Sequence, residues 1–391
     1  MRNRVGTTGL VTVLSILAVL GGGVRGLLGN CGPFTDVAAD VFCPFVLEIF
    51  YLGITTGTTA TTYDPTSNVS RLQMAAFLSR TVDGALKRGS RRASLDQFWT
   101  SQNATVLGLT TVGTSPVLAK SDGADVWVAN FGGSSVSRVR ASDGRLLETW
   151  TGMSIPFGVL PAMGRILVTG KVSPGQLYSI DPTQAAGAAT AVASNLPTDP
   201  RGIAFDGARV WTANGTTAGG SVSIVTPGAS IPWTVTTITT GFTAPQGALF
   251  DGTNVWVTDF AAGTLLRLDP AGVILLTVTV GGSPRFPIYD GSNIWVPNFA
   301  SASVSVVRAS SGALLQTITG NGLGLATSAA FDGQRVLIAN QNSDSVSLFK
   351  AADLTPLGSV STGAGSDPFG ACSDGIQFWV ALSGPGRLAR F

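Results

Sequence analysis

Seven positions share a proline-based context and differ in the residue that could carry chemistry. They follow Pro116, Pro156, Pro200, Pro245, Pro284, Ala326 and Pro368, and they are Val117, Phe157, Arg201, Gln246, Arg285, Thr327 and Phe369. Guanidinium groups form forked hydrogen bonds with anions, and aromatic rings stack. If these positions converge, they either form a binding site for an anionic or sugar-like ligand or only fill the space where they meet. The candidate ligand-binding residues are Phe157, Arg201, Gln246, Arg285 and Phe369.

The sequence contains no histidine. This removes the side chain that most often acts as acid, base or metal ligand near neutral pH, and it excludes Ser-His-Asp and Cys-His catalysis. The three cysteines, Cys31, Cys43 and Cys372, contain no CxxC pair, which argues against a zinc or redox motif. We therefore predict no catalytic residue, no metal site and no cofactor. A hydrolase or lyase that uses carboxylates or a bound metal is the alternative.

A second set of polar residues follows the apolar segment of five repeats. Its members are Asn130, Asn214, Asp259, Asn298 and Asn340. Short Asn and Asp side chains form turns by hydrogen bonding to nearby backbone groups. A calcium site would need several carboxylates, and only Asp259 supplies one. We expect this set to form turns.

Both sets recur because the chain consists of repeats. Each repeat contains a short anchor segment, and four of these anchors are nearly identical. The first is Asp122-Gly-Ala-Asp-Val-Trp127, and the other three start at Asp206, Asp251 and Asp290. Variants start at Asp332 and Asp374, and a degenerate copy starts at Ala162. Starts at 122, 162, 206, 251, 290, 332 and 374 lie 39 to 45 residues apart, which is the length of a four-stranded propeller blade. The sequence therefore predicts a mainly β fold with a seven-bladed β-propeller over residues 103–391.

The repeat also predicts how the propeller is held together. The Asp-Gly pair permits the positive φ angle of a tight hairpin. Burial of each anchor Trp or Leu between adjacent blades contributes roughly 2 to 3 kcal/mol to the stability of the fold. The chain ends in what resembles the third strand of the last blade, residues 387–391. We expect residues 105–112 to supply its fourth strand, because this pairing closes the ring without an exposed edge.

The pattern Asp-Gly-x-x-Val-Trp-Val-x-Asn resembles the YVTN and NHL-like propellers of bacterial surface and periplasmic proteins. It is more distantly similar to streptogramin (virginiamycin B) lyase. The resemblance implies a rigid platform whose ligands use the face where loops entering the first strand and leaving the second strand meet. The lyase needs a catalytic histidine and a magnesium site, so a chain without histidine is not expected to have that activity.

Residues 31–80 carry a different pattern. They contain Phe34-Thr-Asp-Val37, Gly53-Ile-Thr-Thr-Gly57, Tyr63-Asp-Pro65 and Val69-Ser-Arg-Leu-Gln73. This order resembles one S-layer homology motif, which implies a small α-helical module that holds proteins on a bacterial envelope by binding cell-wall polysaccharide. Arg71 matches the family's Thr-Arg-Ala-Glu stretch and is the candidate cell-wall-binding residue, whereas Gln73 replaces the acidic residue. The alternative is that the module packs against a partner or the propeller.

The remaining segments indicate export. Residues 1–30 begin Met-Arg-Asn-Arg and continue in an apolar run, which predicts a signal peptide or a retained N-terminal anchor. Residues 81–102, with Lys87, Arg88, Arg91 and Arg92, resemble a basic linker. Cys31 and Cys43 could form a disulfide in an oxidising compartment, leaving Cys372 as a buried free thiol.

Together these features predict a protein secreted by a bacterium or located on its cell surface or in its periplasm. Its propeller would be a non-catalytic binding platform tethered by the S-layer-like module. Expected partners are envelope polysaccharide or a surface protein, and an anionic or sugar-like small ligand. The net charge of +2 is too small to indicate nucleic-acid binding, and membrane contact is expected only through the N-terminal segment. A third hypothesis is a structural component of an envelope layer.

Overall fold

The structure is a computed structural model that describes residues 31, 33–38, 42–51, 54–78, 81, 108–215 and 219–391. The predicted signal peptide or anchor over residues 1–30 lies outside the described residues, as does the predicted linker from residue 82 onward. The chain divides into two compact units, residues 1–101 and 102–391. No helix within the described residues is long and apolar enough to cross a membrane.

The N-terminal unit contains helix α1 (Cys43–Tyr51) and a second helical segment over residues 71–78. Cys31 and Cys43 form a disulfide with their Cα atoms 5.4 Å apart. Phe34 packs against this disulfide, and its ring lies 5.0 Å from that of Phe50 and 5.5 Å from that of Tyr63. The predicted small α-helical module is therefore confirmed, and a covalent link and an aromatic cluster hold it together.

The second unit is a seven-bladed propeller whose strands are numbered in chain order. The innermost strands are β2 (Pro116–Ser121), β6 (Pro156–Ala162), β10 (Pro200–Phe205), β14 (Pro245–Phe250), β18 (Ile288–Tyr289), β22 (Ala326–Phe331) and β26 (Pro368–Ser373). The second strands are β3 (Asp125–Asn130), β7 (Arg165–Gly170), β11 (Val210–Asn214), β15 (Val255–Asp259), β19 (Asn293–Asn298), β23 (Arg335–Asn340) and β27 (Phe378–Leu382).

Two further strands complete each antiparallel sheet. The third strands are β4 (Ser135–Arg140), β8 (Gly175–Ile180), β12 (Ser221–Thr226), β16 (Thr264–Leu268), β20 (Ser303–Arg308), β24 (Ser345–Lys350) and β28 (Arg387–Arg390). The outermost strands are β5 (Leu146–Trp150), β9 (Thr190–Leu196), β13 (Thr234–Ile238), β17 (Ile274–Thr279), β21 (Leu314–Ile318), β25 (Pro356–Ser361) and β1 (Gly108–Thr111). The predicted fold of seven four-stranded blades is confirmed.

Strand β1 closes the ring. It pairs with β28 in antiparallel register, with Gly108 opposite Arg390 and Thr111 opposite Arg387. The last blade therefore takes its outermost strand from the start of the domain and its other three from the end. This confirms the predicted closure, in which backbone hydrogen bonds join the first strand of the domain to its last strand within one blade.

A repeated aspartate ties each anchor tryptophan to its turn. In the fourth blade, Asp251 Oδ1 accepts the N–H groups of Thr253 and Asn254 at 2.8 and 2.7 Å, and Oδ2 accepts Trp256 Nε1–H at 2.7 Å. The same three hydrogen bonds recur around Asp122, Asp206, Asp290 and Asp374. The five anchor tryptophans are fully buried. The aspartate thus satisfies the one polar atom of each ring, and the tryptophans are core residues as predicted.

In four blades the innermost strand approaches its neighbour so closely that only glycine fits at the third entry position, which is occupied by Gly158, Gly202, Gly247 and Gly370. A Cβ on Gly247 would lie 2.6 Å from the backbone oxygen of Arg285 in the next blade. Thr258 completes this joint, because its hydroxyl accepts Gly247 N–H at 2.8 Å and donates to Arg285 O at 2.6 Å. This joint fixes the backbone of Arg285 beside the channel.

Candidate ligand site at the channel mouth

The residue after five of the six entry prolines lies at a β-bulge or similar irregularity. Pairing of the innermost with the second strand shifts register just after Pro116, Pro156, Pro200, Pro245 and Pro368. A bulge leaves the extra residue unpaired and redirects its side chain. The residue before the proline often has positive φ, as in Asp199 (65°) and Asp367 (50°). The entry loop therefore turns sharply and presents residues on both sides of the proline.

These loops surround a cavity of about 620 Å³, within the range of roughly 300–1,000 Å³ typical of ligand sites. The structure brings four of the five predicted residues together there: Phe157, Arg201, Arg285 and Phe369. The other lining residues are Val117, Phe131, Lys171, Phe299, Leu325, Gln341, Asn342, Asp344, Gly365 and Asp367. Gln246, the fifth, is buried outside this lining and accepts a hydrogen bond from Arg201 Nη1 at 2.8 Å. Its place is therefore beside Arg201.

A cluster of four phenylalanines, Phe131, Phe157, Phe286 and Phe369, lies at the channel. The ring of Phe157 is 6.1 Å from Phe131, 5.9 Å from Phe286 and 5.8 Å from Phe369. Phe286 occupies the position that glycine holds in four other blades, because the fifth blade enters as Pro284-Arg285-Phe286. Its amide donates to Thr327 O at 3.1 Å, so blade five is joined here to blade six. Phe131, Phe157 and Phe369 line the cavity, whereas Phe286 is buried and is not among the lining residues.

Arg201 is held in place by two partners. Asp199 accepts hydrogen bonds from its Nε and Nη2 at 2.7 to 3.0 Å, and Gln246 accepts from Nη1. Lys171 approaches the same Asp199 carboxylate at 3.6 Å and lies over the rings of Phe131 and Phe157. Burial and then the positive charge of Arg201 lower the pKa of Lys171, while Asp199 opposes them. Two cations therefore share one carboxylate.

Arg285 has no such partner. Its guanidinium carbon lies 3.6 Å from the ring centre of Phe299, and its Nη1 makes one long hydrogen bond, 3.4 Å, to Gln341 Oε1. Its Nε is buried without a hydrogen-bond partner, and within the described part of the chain it forms no ion pair. Burial and the charge of Arg201 lower the pKa of Arg285 to about 10, against the attraction of Asp367. Arg285 is thus a half-buried cation without a counterion among the described residues.

Two carboxylates, Asp344 and Asp367, also line the cavity. The Asp344 carboxylate accepts the N–H groups of Asp367 and Gly365 at 2.8 and 2.6 Å and the Ser366 hydroxyl at 3.2 Å. The Asp367 amide, followed by these other donors, lowers the pKa of Asp344 in spite of burial. Asp344 is thus an ionised acceptor that orders the loop carrying Asp367. The cavity lining therefore contains three cations, Lys171, Arg201 and Arg285, and two carboxylates, Asp344 and Asp367.

The Asn and Asp set behind the mouth is structural. Asn130 is buried, donates to the hydroxyls of Ser135 and Ser137, and accepts Gly113 N–H. Asn214, Asn298 and Asn340 likewise donate to two serines of the third strand. Asp259 instead accepts three backbone amides. The predicted backbone hydrogen bonds are found for Asn130, Asn340 and Asp259, whereas the hydrogen bonds of Asn214 and Asn298 go to other side chains, and the serine partners were not foreseen. Among the described residues, no group of three or more His, Cys, Asp or Glu could hold a metal ion.

Sequence reasoning missed the residues adjacent to its two sets. Lys171, Phe299 and Gln341 follow the last residue of a second strand, one position beyond the Asn and Asp set. Asp199 and Asp367 precede the entry prolines. A comparison of the seven repeats at these two neighbouring positions, in addition to the one after the proline, would have found all five.

The second helical segment of the N-terminal unit carries Arg71. Ser70 and Gln73 form a reciprocal capping box: Gln73 N–H donates to Ser70 Oγ at 3.2 Å, and Ser70 N–H donates to Gln73 Oε1 at 2.8 Å. Gln73 therefore performs the capping task for which an acidic residue would also serve. Arg71 is exposed on the first turn after this cap. Its predicted role in wall binding stays a prediction.

Comparison with known proteins supports the two-part reading. Residues 33–75 match the S-layer homology domain. The chain therefore carries a bacterial cell-surface module, and it is a cell-envelope protein. S-layer homology domains bind cell-wall polysaccharides. No curated protein matches the sequence.

The propeller is similar to several solved structures. One is a streptogramin B lyase, with a TM-score of 0.60 and 14% identity over 74% of this chain and 99% of that one. Virginiamycin B lyase from Staphylococcus aureus has a TM-score of 0.61 and 14% identity over 73% of this chain and 98% of that one. Hydrazine synthase from Kuenenia stuttgartiensis has a TM-score of 0.61 and 15% identity over 75% of this chain and 99% of that one. At such low identity the likeness concerns the fold alone. The predicted resemblance to the lyase propeller is confirmed at that level.

Proposed function

We propose that this protein is a cell-envelope receptor in which the S-layer homology domain tethers the chain and the propeller mouth binds an anionic or sugar-like ligand without catalysing its conversion. The observation that carries this proposal is Arg285. Its guanidinium lines a preformed cavity, stacks on Phe299, and lacks both a counterion and a partner for its buried Nε within the described residues.

An unpaired buried charge is costly to a folded protein, because it loses hydration without gaining a compensating interaction. A bound anion would supply that interaction. The neighbouring cations strengthen the argument, since Lys171 and Arg201 share Asp199 and leave positive charge uncompensated on that side of the cavity. The phenylalanine cluster adds apolar surface on which a sugar ring could pack.

One carboxylate of the mouth, Asp344, is better suited to binding than to acid-base catalysis. A general acid or base needs a pKa close to the working pH, which for a carboxyl group means a raised value. The pKa of Asp344 is instead lowered, and its oxygens already accept three donors from the loop it orders. This geometry suits a fixed acceptor for a ligand hydroxyl.

The test uses the full-length protein and isolated wall polysaccharide in a sedimentation assay. We would compare wild type with Arg71→Ala, with Arg201→Gln/Arg285→Gln, and with the control Arg308→Gln/Arg387→Gln, which removes two exposed arginines outside the cavity lining. Weaker retention of Arg71→Ala supports tethering through the module. The receptor proposal is supported if Arg201→Gln/Arg285→Gln loses ligand or partner binding while the Arg308→Gln/Arg387→Gln control keeps it. If the mouth variant and the control both behave as wild type toward every envelope fraction, the receptor proposal is wrong.

A further inference from the structure

The N-terminal unit has a very small hydrophobic core. Within the described residues, the buried members of its core cluster are Cys31, Phe34, Val37, Cys43 and Val46. Two of these five are the cysteines of the disulfide, so the covalent bond lies inside the core. Large apolar side chains of the same unit are exposed instead, namely Phe42, Phe45, Leu72 and Leu78. Domains that bury so little apolar surface usually need a disulfide, a metal or a partner in order to fold.

Helix α1 depends on the rest of the unit for its stability. It has nine residues, and isolated helices shorter than about 12 to 15 residues are marginal in water. It has no acidic residue in its first turn and no basic residue in its last turn, so side-chain charges do not stabilise it through the helix dipole. The helix therefore forms only if contacts with neighbouring segments hold it in place.

The segment before α1 is hydrogen-bonded to a loop much further along the chain. Thr35 N–H donates to Thr61 O at 2.9 Å, and the Asp36 carboxylate accepts the N–H groups of Tyr63 and Asp64 at 2.8 and 2.7 Å. Helix α1 is joined to this segment by the disulfide and by the edge-to-face contact of two phenyl rings, those of Phe34 and Phe50. Opening of the disulfide would leave mainly side-chain packing to hold the helix.

The propeller does not share this dependence. Its single cysteine, Cys372, is a buried free thiol, and backbone hydrogen bonds between β1 and β28 close its ring. Of the three cysteines in the sequence, only Cys31 and Cys43 are therefore joined by a bond that a reductant can open. Reduction should act on the N-terminal unit and leave the propeller folded.

We infer that the Cys31–Cys43 disulfide is a redox switch for tethering, because the S-layer homology module folds and holds the wall only while the two cysteines are joined. A dithiol would reduce the bond by transferring two electrons and two protons, which leaves two thiols on the protein and a disulfide on the reductant. The unfolded module would then regain the freedom that the cross-link removes. Tethering would thus be confined to oxidising surroundings. This inference rests on the tethering part of the proposed function.

The test compares full-length wild type with Cys31→Ser/Cys43→Ser and with the control Cys372→Ala, which keeps the disulfide. Two quantities are measured: retention on sedimented wall polysaccharide, and the rate of chymotrypsin cleavage after the fully buried Phe34, identified by mass spectrometry. We expect the double variant to be retained at least about tenfold less and to be cleaved there at least about tenfold faster, because its module is more often open. The control should match wild type in both.

Reduction of wild type with dithiothreitol separates the effect of the bond from that of the side chains, since both cysteines remain. Retention should fall at the rate at which mass spectrometry shows the disulfide to open, and reoxidation should restore it. Unchanged tryptophan emission in each sample verifies that the propeller is folded.

Three results would overturn the inference. Wild-type retention of the double variant with Phe34 still protected would show that the module folds without the disulfide. Lost retention with Phe34 still protected would show that the cysteines do not act through folding, although tethering itself would stand. Rapid cleavage after Phe34 with wild-type retention would show that the module does not hold the wall, and the tethering part of the proposed function would then fail together with the inference.

Discussion

The hydrogen bond between each anchor aspartate and its buried tryptophan gives a sharp stability prediction. In the fourth blade, Asp251 accepts two backbone amides through Oδ1 and Trp256 Nε1–H through Oδ2. Asp251→Asn keeps an oxygen for the amides but places an amide N–H opposite the indole N–H. The change leaves a fully buried donor unsatisfied, which costs about 1 to 3 kcal/mol.

A double-mutant cycle measures the energy of the hydrogen bond between Asp251 and Trp256 separately from the other effects of each substitution. Trp256→Phe removes the N–H group, so Asp251→Asn should cost less in that background, and we expect a coupling energy of about 1 to 2 kcal/mol. Pairing Asp251→Asn with Trp379→Phe in the last blade is the control, since Trp379 bonds to Asp374 and the two changes should add.

The assay is urea unfolding followed by tryptophan fluorescence. All tryptophans except Trp99 lie between residues 108 and 391, so the signal reports on the propeller. Equal costs of Asp251→Asn with Trp256 and with phenylalanine at that position would refute the reasoning, because the repeated Asp and Trp would then not be energetically coupled.

Three further predictions follow from the described contacts. Gly247→Ala should lower stability by about 1 to 3 kcal/mol in urea unfolding, because the new Cβ would meet Arg285 O and the Pro287 ring, whereas Gly187→Ala, with no atom nearer than 3.9 Å, should be close to neutral. Cys372 is buried and burial raises its pKa to about 12, so it should react with a thiol reagent at pH 8 only after unfolding; rapid labelling of the native protein would contradict its placement. Burial would raise the pKa of Asp206, but hydrogen bonds from Trp211 and from the Arg209 and Ala208 amides hold it below 3.8. The stabilising contribution of Asp206 should therefore be complete above about pH 4 and should decline as the pH falls through the pKa that Asp206 has in the folded protein. In urea unfolding, the midpoint of an Asp206→Ala protein should fall less on acidification than that of wild type.

The sequence predicts the propeller well because its determinants are local and repeated. The Asp-Gly turn, the Trp five residues after the aspartate and the Pro-x-Gly entry each satisfy a need within one blade or at one joint, and each need recurs at nearly constant spacing. Ring closure by β1 also followed from local evidence, because a missing last strand and an unpaired first strand occur in the same domain. The small N-terminal module occurs once, and it was predictable because Phe34, Tyr63 and Arg71 keep the order of one S-layer homology motif.

The site was less predictable because it depends on distances between different blades. Repeat alignment located Phe157, Arg201, Arg285 and Phe369, but nothing in it indicates that Asp199 would neutralise Arg201 while Arg285 would stack on Phe299 without a carboxylate. Gln246 occupies an equivalent sequence position and yet supports Arg201 from outside the cavity lining. Such distinctions arise only after seven entry loops meet at one mouth.

The fifth blade shows how a departure from the repeat creates this asymmetry. Glycine at the third entry position allows neighbouring innermost strands to meet, yet Phe286 stands there in the fifth blade, where β18 (Ile288–Tyr289) is reduced to two residues. The phenyl ring packs with Phe157 and Phe369, and the adjacent Arg285 reaches within cation-π distance of Phe299. Three of the seven blades lack glycine at this position and carry Leu118, Phe286 or Ser328 instead. In the fifth blade the change places a buried phenyl ring next to Arg285, which forms no ion pair within the described residues, and under the proposed function this makes the fifth blade the point of the ring where an anionic ligand binds.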